Sequence, residues 1–184
     1  GVTMQLKDYQ KASLGALDRF LTRALATGPA EAFGYEIAAQ EEQARLEGRK
    51  PEPRAYRPLE ELPETPYVCL RLPTGGGKTL LAAESIRIAG SRYLRRTYPL
   101  TLWFVTSDAI RGQTLEALND ASHSYRRRLD ESFGGRVRIF DIEAFETLRP
   151  QDLQRSACVV VSTIQAFRET DTASRKVYAH HEQL

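Results

Sequence analysis

The sequence lacks any apolar run that approaches the roughly 20 residues of a membrane-spanning helix, and its N-terminus has no signal-peptide pattern. We therefore expect a cytoplasmic protein with no membrane partner. A large charge of one sign is also lacking, because the formal net charge is only +2. Basic clusters occur at Arg92, Arg95 and Arg96 and at 126–128. They are compatible with nucleic-acid binding but more often typical of solvated helix faces.

Cysteine is scarce, with only Cys69 and Cys158 present. Each lies in an apolar, strand-like segment, where a free cysteine behaves as a small hydrophobic residue. We therefore expect two reduced thiols in the core and no disulfide bond. The sequence has no internal repeats, and 184 residues with 41% hydrophobic content are enough for one domain with a buried core.

The segment VCLRLPTGGGKTLLAAESIRIA, residues 68–89, contains an apolar run that stops at glycines and resumes at helical spacing. Residues 68–72 have the pattern of a buried strand, and residues 80–89 that of a mostly buried helix. The glycines Gly75–Gly77 permit positive φ angles and can direct successive backbone N–H groups towards an anion. Strand, tight loop and helix in this order predict a phosphate-binding loop.

The residues around these glycines complete a nucleoside triphosphate site. Lys78 adds a positive charge, and the Thr79 hydroxyl is placed to ligate an Mg²⁺ ion held by the phosphates. The pattern G-x-x-x-x-G-K-S/T has a first glycine where this chain has Leu72. The predicted site consists of Thr74, Gly75, Gly76, Gly77, Lys78 and Thr79, in which Lys78 and Thr79 act on the reacting phosphates and Thr79 is the metal ligand.

Helical and strand patterns alternate along the rest of the chain. A helical stripe over 4–27 ends at Gly28-Pro29, and the composition then changes. We expect residues 28–66 to be an insertion or linker, with a short helix at 30–47 and a proline-rich loop at 51–66. Further strands are predicted at 101–107, 136–142 and 157–162, and a helix at 108–130. Four strands separated by helices or long crossovers predict an α/β fold with a doubly wound, mostly parallel sheet.

Four segments together resemble superfamily 2 helicases. They are LKDYQKASLGAL (6–17), LPTGGGKTLLAA (72–83), LWFVTSDAIRGQTLEAL (102–118) and VVVSTIQAF (159–167), in the order of the adenine, phosphate-loop, Ia and Ic motifs. The chain resembles the first RecA-like domain of these proteins. It is most similar to the restriction subunit of type III restriction enzymes and related DEAD/DEAH-like ATPases. The phosphate loop is specific by itself, whereas the other three motifs are persuasive through their order.

The resemblance implies roles for residues outside the phosphate loop. Gln10 would read the adenine of ATP through its side-chain amide, and Tyr9 would support it. The nucleic-acid backbone would be contacted by Thr106, Ser107, Arg111, Gln113, Thr163 and Gln165. Structural alternatives are open for each of these: Gln10 as an exposed polar residue of an amphipathic helix, and the hydroxyl residues as ordinary helix N-caps.

The function implied by the resemblance is the ATP-binding portion of an ATP-dependent DNA translocase or helicase from a restriction or phage-defence system, with RNA left open. Its cofactors would be ATP and Mg²⁺, and its partners a second RecA-like domain and a methyltransferase or nuclease. We expect residues 1–184 to be the N-terminal part of a RecA-like P-loop NTPase domain that is incomplete at the C-terminus. Residues 169–184 would be a tail before the Walker B acids. Without those acids and an arginine finger, the chain alone should hydrolyse ATP negligibly.

Two patterns imitate other sites. RIFDIE (138–143) resembles a Walker B strand with Asp141 as the Mg²⁺ ligand, but it precedes the VVVSTIQ strand instead of following it. HHEQL would begin a zinc-protease motif at His181-Glu182, but the second histidine would be residue 185. The alternative functions are a P-loop enzyme of another class, such as a kinase or GTPase, and a nucleotide-binding regulatory module. A GTPase is disfavoured because the sequence has no N/T-K-x-D motif.

Overall fold

The computed structural model describes residues 5–73 and 77–170. The helices are α1 (Asp8–Thr27), α2 (Pro29–Leu46), α3 (Lys78–Ala89), α4 (Asp108–Asn119), α5 (Ser124–Phe133), α6 (Pro150–Arg155) and α7 (Ile164–Glu169), and the strands are β1 (Leu100–Val105), β2 (Val137–Asp141) and β3 (Ala157–Thr163). A π-helix, Gly90–Leu94, continues α3, and a 3-10 helix, Ile142–Thr147, follows β2. The chain divides into two compact units between Arg95 and Arg96. Among the described residues, no helix has the length and apolar character needed to cross a membrane.

The first unit contains α1, α2 and α3. Its core consists of Leu14, Leu17, Phe20, Leu21, Ala24, Ala32, Leu81 and Ile88. The members on α1 recur every three or four residues, which places them on one face of the helix, as the sequence predicted. Gly28 ends α1 with a φ of +91°, and Pro29 begins α2, because proline has the φ angle of a first helical residue and needs no hydrogen-bond partner for its nitrogen.

A buried carboxylate joins α2 to α1. Glu36 is 6% exposed, and its Oε1 lies 3.0 Å from Nε of Arg19 and 3.4 Å from Nη1 of Arg23. The hydrogen bond to Glu36 raises the pKa of Arg19. The two arginines thus compensate for the removal of the Glu36 carboxylate from water. The helix predicted at 30–47 is confirmed as α2.

The strand predicted at 68–72 is wrong. Residues 66–73 form no strand, although Val68, Leu70 and Leu72 are half-buried, alternate with exposed residues and pack on the core of the first unit. A strand requires backbone pairing with a neighbour, and the described part of this unit contains no other strand. The prediction that Cys69 is a core residue is also wrong, because its side chain falls on the exposed positions of this alternation. Cys158 is buried, and both cysteines are free, as predicted.

The second unit is built on a parallel sheet with the strand order β1-β3-β2. The central strand β3 is fully buried from Cys158 to Ser162. A strand covered on both faces requires a continuous apolar run, which is the reason for the sequence ACVVVS. The predicted α/β class and parallel sheet are confirmed, with three strands in the described residues instead of the predicted four.

The long helix predicted after β1 is two helices, α4 and α5. The Asp120 carboxylate accepts hydrogen bonds from the backbone N–H of Ser122 at 2.9 Å and from its hydroxyl at 2.7 Å, and the His123 side chain caps α5. Short polar side chains that bond to nearby backbone favour turns and caps over a continuous helix. Leu118 on α4 and Leu129 on α5 are fully buried.

We expect the two thiols to differ in reactivity in the folded protein. A disulfide reagent at pH 8 should modify Cys69 and leave Cys158 intact, because burial raises the pKa of the Cys158 thiol to about 11 and only the thiolate reacts. Thiol release and mass spectrometry before and after unfolding measure this difference. The Cys69→Ser variant should lose the fast reaction entirely. Rapid modification of Cys158 in the folded chain would contradict its buried position.

Candidate nucleotide and nucleic-acid sites

Helix α3 begins directly after the glycine run. Gly77 is its N-cap, with a φ of +73° and a ψ of +43°, so the predicted positive φ is confirmed at this glycine. Lys78 is exposed and Thr79 is half-buried in the first turn. There the backbone N–H groups have no partner within the helix, and the helix dipole favours an anion. The other predicted members of the loop, Thr74, Gly75 and Gly76, lie outside the described residues.

The side chain of Gln10 lies against Gly77. Gln10 is 4% exposed, and its Oε1 accepts a hydrogen bond of 2.8 Å from the backbone N–H of Lys7 at the start of α1. A Cβ atom added to Gly77 would lie only 2.4 Å from Nε2 of Gln10. Glycine is therefore required here for two independent reasons, the left-handed backbone and the close approach of the Gln10 amide.

The surroundings of Gln10 relate to both roles that the sequence allowed. The Gln10 side chain has a structural function, because it caps α1. Gln10 is buried, so the alternative that it is an exposed polar residue of an amphipathic helix is wrong. Its position beside Gly77 also places the amide next to the phosphate loop. A carbonyl oxygen has two lone pairs, and the Lys7 N–H uses one. Adenine reading by Gln10 stays a prediction, as does support by Tyr9, whose ring centroid lies 5.8 Å from Nζ of Lys7.

In the second unit, the carboxyl ends of β1 and β3 lie side by side. The parallel register pairs Val105 with Thr163, and ligand sites in parallel sheets lie at this edge. A cavity of about 460 Å³ is lined there by Phe104, Val105, Thr106, Ser107, Asp108, Thr163, Ile164 and Gln165. We call it the strand-end cavity. Four of the six predicted nucleic-acid-binding residues line it, namely Thr106, Ser107, Thr163 and Gln165.

Two hydroxyls of the strand-end cavity cap helices. Ser107 Oγ accepts a hydrogen bond of 3.2 Å from the N–H of Ile110, and Thr163 Oγ1 accepts one of 3.1 Å from the N–H of Ala166. A hydroxyl that accepts a bond still has its own hydrogen to donate. Both residues are therefore helix N-caps, as the structural alternative proposed. Each hydroxyl hydrogen is still able to donate to a phosphate oxygen.

Arg111 and Gln113 do not line the strand-end cavity. The Arg111 guanidinium is 16% exposed and lies 3.5 Å from a carboxylate oxygen of Asp108 and 3.6 Å from those of Asp141 and Glu143. These three carboxylates compete with a phosphate for the same N–H donors. Gln113 is exposed on α4. Phosphate binding by either residue stays a prediction.

Asp141 has structural partners that account for its position at the end of β2. Its carboxylate accepts a hydrogen bond of 3.3 Å from the N–H of Glu143 and pairs with Arg111. Within residues 5–73 and 77–170, no three histidine, cysteine or acidic side chains are grouped so that they could hold a metal ion. The HHEQL pattern, with His181 and Glu182, lies outside the described residues.

Phe104 is a cavity residue that the sequence did not single out. Its side chain is 45% exposed and meets Phe167 edge to face, with ring centroids 5.4 Å apart. The only signal was an aromatic residue near the end of a strand, which is also a common core position.

The sequence profile of the family described as type III restriction enzyme, res subunit, matches residues 3–184. The chain belongs to this family. Comparisons with curated proteins and with solved structures gave no significant match. The resemblance inferred from motif order is thus confirmed for the res-subunit chain. The family is a helicase-like ATPase domain, and P-loop ATPase domains generally use ATP with Mg²⁺.

We expect Gly77→Ala to destabilise the res-subunit chain by about 1–3 kcal/mol, because alanine is strained in a left-handed conformation and its Cβ would displace the Gln10 amide. Urea unfolding measures the loss. The Gln10→Ala variant lacks the amide that the Gly77→Ala methyl group would displace. The double variant should therefore lose less stability than the sum of the losses in the two single variants.

The matched control is Gly34→Ala on α2, where an added Cβ meets nothing within 4 Å. This change should be neutral or slightly stabilising, since alanine is the better helix former. Strict additivity between the Gly77 and Gln10 substitutions would contradict the contact between them.

Proposed function

We propose that the res-subunit chain is the ATP-binding portion of an ATP-driven DNA translocase or helicase of a restriction or phage-defence system. The observation that supports it most strongly is the contact between Gln10 and Gly77. The resemblance assigns the first residue to adenine and the second to phosphate, and the two lie side by side although they are far apart in the sequence. A cytoplasmic location and a methyltransferase or nuclease partner belong to the same proposal.

The residues of the first unit have the chemistry that this nucleotide requires. The missing side chain of Gly77 leaves room for the Gln10 amide beside the backbone, and Lys78 supplies a cation at the first turn of α3. Thr79 would hold Mg²⁺ together with the phosphates, and the metal would neutralise charge on the β- and γ-phosphoryl groups. The Gln10 amide offers one donor and one acceptor, which match the N6 and N7 positions of adenine. Completing hydrolysis would require a second RecA-like domain to supply an arginine finger.

The strand-end cavity would bind the sugar-phosphate backbone of the nucleic acid. Thr106, Ser107 and Thr163 contribute hydroxyls, and Gln165 contributes an amide. Hydroxyl and amide contacts with phosphates position a strand without reading its sequence, which is the property that a translocase requires. The choice of DNA over RNA rests on the restriction family to which the chain belongs.

For the nucleotide site, we expect Lys78→Ala to lower the affinity for a fluorescent ATP analogue about 10- to 150-fold, since a charge-assisted contact is worth roughly 1.5–3 kcal/mol. Titration by fluorescence anisotropy measures the change. Lys11→Ala, on the exposed side of α1, is the matched control and should bind as the unchanged chain does. Equal affinities for the Lys78 variant and the control would exclude the proposed nucleotide site.

For the nucleic-acid site, we expect Thr106→Val to weaken binding of a labelled single-stranded DNA roughly tenfold, because it removes a hydroxyl donor to a charged phosphate at little change in volume. The salt dependence of binding should keep its slope, since no charge is removed. Thr114→Val, whose hydroxyl donates to the Ile110 carbonyl within α4, is the control. A loss that depends on base sequence, or that is equal in both variants, would contradict backbone binding in the strand-end cavity.

A further inference from the structure

A second polar pocket lies in the first unit, at the C-terminal end of α2. Its volume is about 330 Å³, and its charged lining consists of Arg49, Lys50, Arg54 and Arg71 with Glu41 and Glu52. Gly77, Lys78 and Thr79, the described residues of the predicted phosphate loop, do not line it. We call it the α2-end pocket, and we propose that it binds a phosphoryl group.

The end of α2 places two of these cations. Gly48 has a φ of +73°, its N–H donates to the Arg45 carbonyl at 3.1 Å, and the Arg49 N–H donates to the Ala44 carbonyl at 2.7 Å. This pair of bonds is a Schellman cap. It reverses the chain, so that Arg49 and Lys50 line the pocket, and it pairs carbonyl groups at the helix end that would otherwise repel an anion.

Arg71 also lines the pocket, from the extended segment that packs on the core. Its neighbours Leu70 and Leu72 pack on the core of the first unit, and exposed and half-buried residues alternate along this segment. Successive side chains of an extended segment point to opposite sides. The packing of the two leucines therefore directs Arg71 away from the core and into the α2-end pocket.

The ion pairs in and around the pocket leave an excess of positive charge. Arg54 pairs with Glu52 at 3.3 Å, Glu41 lies 3.9 Å from Arg45, and Arg49 pairs with Glu47. Within the described part of the chain, Lys50 and Arg71 have no ion-pair or hydrogen-bond partner. Two uncompensated cations, one of them an arginine whose planar group can bind two oxygens at once, suit a phosphoryl group. Among the described residues, the lining contains no aromatic side chain to hold an apolar ligand.

The phosphoryl group could belong to a nucleic-acid backbone or to a free phosphorylated molecule, and two probes distinguish these sources. Both are applied to the full chain carrying Lys78→Ala, so that the phosphate loop contributes little to either signal. The pocket variant adds Lys50→Gln and Arg71→Gln. The control variant adds Lys11→Gln and Arg57→Gln, two exposed cations outside the pocket with the same total charge change.

The first probe is a fluorescein-labelled single-stranded oligonucleotide measured by anisotropy at several salt concentrations, and the second is inorganic pyrophosphate measured by calorimetry. For a backbone phosphate, the pocket variant should bind the oligonucleotide about tenfold more weakly than the control. The slope of log affinity against log salt should fall by about 0.7 for each phosphate that the variant no longer neutralises. For a free phosphorylated ligand, pyrophosphate affinity should fall about tenfold, with oligonucleotide binding as in the control.

Equal behaviour of the pocket and control variants with both probes would overturn the α2-end pocket as an anion site. This outcome is distinct from failure of the proposed function. That function is tested with an ATP analogue on chains in which Lys50 and Arg71 are unchanged.

Discussion

Burial of β3 is the constraint on which the second unit depends. β3 pairs in parallel with β1 on one side and β2 on the other, and its residues from Cys158 to Ser162 are shielded from water. Because both faces of β3 are covered, its apolar run keeps it at the centre of the sheet, and backbone pairing with β1 and β2 sets the register. The same register sets Val105 beside Thr163. The grouping of polar residues in the strand-end cavity is thus a consequence of how the core is packed.

In the first unit, helix packing has the corresponding role. Apolar residues of α1 and α3 share one core, and closely packed cores leave little freedom in the positions of the helices. The start of α1 and the N-cap of α3 are thereby held together, and Gln10 meets Gly77. Gln10 thus caps one helix and restricts the residue that precedes another.

The partners of the basic residues separate structural roles from candidate binding roles. Sequence clusters drew attention to Arg92 and Arg126, yet Arg92 pairs with Asp18 and Arg126 with Asp130. The α2-end pocket instead combines Lys50 with Arg71, which lies 21 residues further along the sequence. Adjacency along the chain is a poor guide to an anion site, because an anion binds to charges that converge in space and are not already neutralised.

The sequence by itself determined the family, through motif order, and most of the helices and strands, because hydrophobic periodicity and capping are local properties. The predicted strand at 68–72 failed because a strand exists only with a backbone partner, which no local pattern reveals. Only the tertiary structure decided that Gln10 contacts Gly77 and that Arg111 is surrounded by carboxylates. These contacts join residues that are far apart in the chain, and they arise from the packing of whole helices and strands, which local propensity does not encode.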